Sequence, residues 1–225
     1  MESTSDQKKP SFLLLCVVAG YVAVVLLVDT LAALGVRVPI DWRVFQWTSD
    51  NGFDWFKFVA WFVVPFVVSL QGMDWGYFGV SRWKRWDWAL LLGLGAVGLL
   101  AVLTINVFPS LREYYPSYGD LPWPQKWEII ARGMLWTFSW LIGWEFIHRY
   151  FLLRPFAARW PRFGWLIVPF SEGVYHLQKA PIEAAGMVVF SLILTAWALR
   201  RRNALLPFLA HLLVEIELVL FLVLA

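Results

Sequence analysis

Glu145 and Arg149 stand four residues apart in the run GWEFIHRYFLL, and two further apolar runs each carry a histidine, His176 in FSEGVYHLQK and His211 in LPFLAHLLVE. A carboxylate, a guanidinium and two imidazoles make an acid/base set: one group takes a proton from water, another returns it to a leaving amine. Ionisable side chains are expensive to place inside a membrane-spanning helix and by default mark function there. The i, i+4 spacing puts Glu145 and Arg149 on one helical face, where they can pair. The competing reading of such a pair is a structural ion bridge, and that of a lone histidine in an apolar helix is packing.

The elements that must hold these residues are apolar throughout. The chain has 225 residues, of which 60% are hydrophobic, 18% aromatic and 16% charged, a balance unlike that of a soluble domain. Runs long enough to cross a bilayer cover 11–34, 53–71, 88–108, 127–153, 163–178, 182–199 and 204–224. The expected fold is therefore an all-α polytopic bundle of seven spans, or eight. The fifth run is the shortest and is closed by Pro181, so it is tilted or ends below the surface. The organisation is a tail over 1–10, N-terminal helices over 11–125 and a core over 126–225. Segment 72–88 is an interfacial helix or an anchored loop, and 109–126 an external loop.

With the N-terminus in the cytoplasm, Lys8, Lys9, Arg82, Lys84, Arg85, Arg154, Arg159, Arg162 and Arg200 to Arg202 share one side. Arg37, Arg43, Arg112, Lys126 and Lys179 fall on the other. This describes an integral membrane protein, expected in a bacterial inner (plasma) membrane. The net charge of +3 is spread over loops with no basic stripe, so nucleic acid is not an expected partner. Cys16 is the only cysteine, which excludes an intrachain disulfide. The run before it lacks the small residue of a lipoprotein cleavage site, and the first apolar run reads as an uncleaved span. Trp42, Trp47, Trp123, Trp127 and Trp160 read as interfacial anchors.

Counted at 1.5 Å per residue from the cytoplasmic span ends, Glu145 lies about 13 Å deep, His211 about 12 Å and His176 about 20 Å. All three depths fall in the middle of a hydrocarbon core about 30 Å thick, so three helices can present these groups to one water-filled pocket. Glu145 and His148 also form a Glu-x-x-His pair of the di-metal bundle type, but no second copy exists. Asp29 and Arg132 read as helix-to-helix hydrogen-bonding residues.

The run WEFIHR, followed by His176 and then His211, resembles the CAAX protease and bacteriocin-processing family of intramembrane proteases. That family carries a Glu-Glu-x-x-x-Arg helix, a His with Phe four positions earlier, and a His-x-x-x-Asn. Glu145 and Arg149 match the second Glu and the Arg, with Trp144 at the first Glu. His176 matches with Glu172 in place of Phe, and His211 with Glu215 in place of Asn. A branch of the family reads Trp-Glu-Phe-x-x-Arg with a downstream His-x-x-Lys-x-x-x-Glu, matched by His176, Lys179 and Glu183. The resemblance covers roughly residues 125–220.

It implies hydrolysis of a peptide bond in a membrane-anchored, prenylated or otherwise lipidated substrate. Glu145 would activate water, while His176 and His211 would stabilise the oxyanion or protonate the leaving amine. Arg149 would hold Glu145, and Glu215 would orient His211. Glu183 is either a second site carboxylate or the partner of Lys179. No cofactor is expected; zinc, if present, would take Glu145, His176 and His211. Two other classes accommodate the same residues: a catalytically inactive interaction or immunity protein of this fold, and a small transporter with an intramembrane Glu/Arg/His relay.

Overall fold

The structure, a computed structural model, describes residues 9–36 and 52–225. Lys8, Arg37, Trp42, Arg43 and Trp47, used in the topology reading, lie outside the described residues. Helix α1 is Phe12–Ala33, capped by the Ser11 side chain, which accepts from Leu14 N–H. Helix α2 is Trp55–Gly72, with a π-helical turn at Phe58–Val63. Asp54 caps it through the Lys57 N–H. Helix α3 runs over Arg85–Leu103 and a short helix α4 over Pro109–Tyr114.

Helix α5 is continuous in three pieces: Trp123–Phe146, a π-helical turn at Ile147–Leu152, and Leu153–Arg159. Helices α6, Ile167–His176, α7, Pro181–Arg201, and α8, Leu205–Leu224, complete the chain. The architecture is the all-α bundle that the apolar runs predict. Five helices are long and apolar enough to cross a membrane: α1, α2, Arg85–Asn106, α7 and α8. The chain is thus an integral, multi-pass membrane protein.

Two of the seven expected spans differ. Helix α5 is long enough, yet it is not among the described helices that are apolar enough by composition to cross a membrane. Helix α6 has ten residues and rises about 15 Å, half the hydrocarbon thickness, so the run 163–178 does not cross as a span. The interfacial segment 72–88 is neither a single helix nor a loop: a 3-10 turn at Trp75–Phe78 is followed by the start of α3.

The two ends of the bundle are tied differently. At one end the Arg82 guanidinium bonds the Asp74 carboxylate and the Arg202 carbonyl. Beside it Ala204 N–H donates to the Tyr77 carbonyl. Arg154 and Tyr150 join the same end, where Tyr150 accepts from Asp74 N–H. Arg82, Arg154 and Arg202, from three of the basic loops, thus meet at one end of the bundle. At the other end Tyr118 N–H donates to the Leu222 carbonyl and the Tyr114 hydroxyl to the Gln178 carbonyl.

Between the ends, α5 lies against α2 and α8, and α6 against α7. Two glycines set those approaches. A Cβ on Gly143 would meet the Trp61 Cβ at 2.8 Å, and one on Gly173 would meet the Val188 side chain at 2.6 Å. Trp61, Trp144, Ile147, Leu152, Leu153 and Val168 form the core where α2, α5 and α6 meet.

Candidate active site

Helix α8 is aimed by the turn that precedes it. Arg202 closes α7 in the left-handed region at φ 48°, and buried Asn203 accepts from Leu206 N–H while donating to the Gly79 carbonyl at 2.6 Å. Two turns further on, His211 Nδ1 lies 2.8 Å from Glu145 Oε1 on α5. The carboxylate is 2% exposed, and its second oxygen lies 3.6 Å from Arg149 Nε. His211 packs edge-on between the Trp140 and Phe190 rings, each with centroids 5.7 Å away.

Arg149 is shared. Its other two nitrogens form a two-point pair with Glu172 of α6, Nη2 to Oε2 at 3.2 Å and Nη1 to Oε1. The arrangement is fully buried. Two carboxylates thus share one guanidinium. Glu172 is the residue of this cluster that sequence reasoning passed over. It appeared only as a departure from the family's Phe, although a second carboxylate within reach of a buried arginine was a signal in itself.

His176, at the end of α6, bonds the Glu172 carbonyl through Nδ1 at 2.8 Å, which leaves Nε2 for other partners. His148 faces away from Glu145: its Nδ1 bonds the Trp144 carbonyl at 3.0 Å and its Nε2 lies 3.3 Å from Ser171 Oγ. The Glu-x-x-His pair therefore does not converge. Trp144 fills the space between Trp61, Tyr175 and His176, and its indole N–H is buried without a hydrogen-bond partner.

These groups surround a cavity of about 410 Å³. Its wall includes His176, His211, Glu215 and the rings of Trp61, Trp136, Trp140, Trp144 and Tyr175. Glu145, Arg149 and Glu172 are not part of that wall; His211 separates Glu145 from it. Glu215 Oε1 lies 3.9 Å from His211 Nε2, so the carboxylate that orients the ring is Glu145 rather than Glu215.

Lys179, Glu183 and Tyr115 form one end of the cavity. Lys179 Nζ is 2.7 Å from Glu183 and 3.3 Å from the Tyr115 hydroxyl, which pairs Glu183 with Lys179. Burial pushes the Tyr115 phenol well above its ordinary value, so it stays a neutral O–H. Opposite, Asp29 of α1 accepts from the Tyr175 hydroxyl at 2.5 Å and lies 3.3 Å from Lys57 of α2. Asp29 thus joins helices as expected, whereas Arg132 pairs with Glu128 of its own helix at 2.7 Å.

Zinc would need Glu145, His176 and His211 to converge. Glu145 does not line the cavity that His176 and His211 share, and its Oε1 is bonded to His211 Nδ1, so the three do not converge and this set does not fit. Among the described residues no other group of His, Cys, Asp and Glu is arranged to hold a metal ion.

Residues 126–216 match the family model described as type II CAAX prenyl endopeptidase Rce1-like. That segment, less than half of the chain, is similar to this family. The Rce1-like segment holds Glu145, Arg149, Glu172, His176, His211 and Glu215, whereas Asp29, Lys57 and Trp61 of the same cavity lie before it. No curated protein and no solved structure matches the chain. The likeness is thus to an endopeptidase family, carried by helices of a multi-pass membrane bundle.

Proposed function

We propose that the chain hydrolyses a peptide bond of a membrane-anchored or prenylated substrate inside the cavity. The observation that carries this reading is the 2.8 Å contact between Glu145 and His211, whose ring lines a cavity together with His176 and Glu215. A carboxylate on Nδ1 fixes the orientation of the imidazole, and in this reading Nε2–H faces substrate. His211 then donates to the oxygen of the scissile carbonyl as negative charge develops on it. His176, held by a backbone carbonyl, is the second imidazole beside the reacting bond. In this reading Glu145 is a positioning residue, Arg149 and Glu172 lock it, and no step is routed through a metal.

The test uses purified protein in liposomes with a farnesylated peptide carrying a fluorophore and quencher across its C-terminal bonds. His211→Ala and His176→Ala should each lower kcat by about 10²-fold or more. Glu145→Gln should lower kcat at near-constant KM, and Glu145→Asp should recover part of the loss, which a purely structural carboxylate would not reproduce. Cleavage unchanged by both histidine substitutions would sink the reading in favour of a non-catalytic interaction protein.

A further inference from the structure

Hydrolysis needs a group that accepts a proton from the attacking water, and the usual family position for it is filled by the Trp144 indole, which has no basic lone pair. Glu145 does not reach the cavity, and one of its oxygens is engaged by His211. The remaining wall carboxylates can be compared directly. Asp29 is engaged by Lys57 and the Tyr175 hydroxyl, and Glu183 by Lys179. Among the described residues, Glu215 is the wall carboxylate whose ion-pair contact is with neither lysine nor arginine but only with His211, at 3.9 Å.

That spacing is too long for a direct hydrogen bond and places a carboxylate oxygen beside the imidazole edge that faces substrate. Glu215 keeps 16% of its side chain accessible in the cavity wall. It also lies one turn beyond His211 on α8, so the capped start of that helix aims both groups together.

We infer that Glu215 is the catalytic carboxylate that activates water, taking over at the third motif the role that Trp144 cannot fill in the first. Resting on the endopeptidase reading above, the step runs as follows. Glu215 takes a proton from water as the water oxygen bonds to the scissile carbonyl carbon, and the carbonyl π electrons move onto oxygen, to which His211 Nε2–H donates a hydrogen bond. Collapse of the tetrahedral species re-forms the carbonyl and breaks the C–N bond, and the proton held on Glu215 passes to the leaving nitrogen. Water is consumed and no other reactant is needed.

The farnesylated peptide assay in liposomes separates the outcomes. Glu215→Gln, which keeps size and removes basicity, should lower kcat by about 10²-fold or more at near-constant KM. Glu215→Asp, which keeps the carboxylate one methylene back, should retain clearly more activity than Glu215→Gln. If Glu215→Gln does not fold, the Asp and Asn variants give the same contrast. Wild-type cleavage with Glu215→Gln within about threefold of it, or with equal losses for the acid and the amide, overturns the assignment and leaves the endopeptidase reading standing. No cleavage by the wild-type chain overturns the reading itself, and the assignment with it.

Discussion

Arg149 is the side chain on which the site depends most. It is sealed from solvent and holds Glu145 through Nε and Glu172 through the fork. Removing it leaves two buried carboxylates facing one another, so Arg149→Met should destabilise the protein by about 3–5 kcal/mol, read as a lowered unfolding midpoint in detergent. Arg149→Lys should restore part of this, because an ammonium supplies the charge without the two-point geometry. Much at this scale was legible from residue type alone. A Glu, an Arg and two His in apolar runs are rare enough to mark the site, and depth counting brought Glu145 and His211 to one level. What residue type could not supply was partnership. Arg149 had a visible neighbour at i−4, but whether its fork turned toward that neighbour or toward α6 depends on a helix crossing that the spacing does not encode.

Helix contacts made at glycine hold the motif in place. Gly143 lies one residue before Trp144 and two before Glu145, and its missing side chain lets α2 rest against α5 at the level of Trp61. Gly143→Ala should therefore cost about 1–3 kcal/mol and lower activity, measured by thermal unfolding and the peptide assay. Gly186→Ala, on α7 with open space around it, should be neutral or slightly stabilising. Helix positions were readable because apolar runs and polar loops alternate cleanly. The shortness of α6 was only partly readable, since Pro181 marked its end but nothing marked its start within an apolar run. The π turns in α2 and α5 were not readable at all. They arise where one extra residue is accommodated between packed helices, and no sequence period announces them.

At the scale of the whole molecule, the family segment supplies the acid/base groups and the helices before it supply part of the cavity. Asp29, paired with Lys57, reaches across to Tyr175, the residue next to His176, so α1 and α2 help to position α6. Helix α6 and the residues flanking it in turn expose an apolar strip of Leu166, Phe170, Val174 and Leu177. A helix of ten residues presents about 15 Å of such surface, roughly half of what an ordinary hydrocarbon core requires. Lipid beside so short a strip relieves the mismatch by thinning, at a modest free-energy cost per ångström. Reconstitution across a series of acyl-chain lengths should accordingly show faster peptide cleavage in thinner bilayers, and a rate indifferent to thickness would contradict this. Membrane thickness then becomes a variable of the reaction itself: the bilayer would be compressed beside His176, lowering the elastic barrier that a lipid-anchored chain meets as its peptide bond descends toward water.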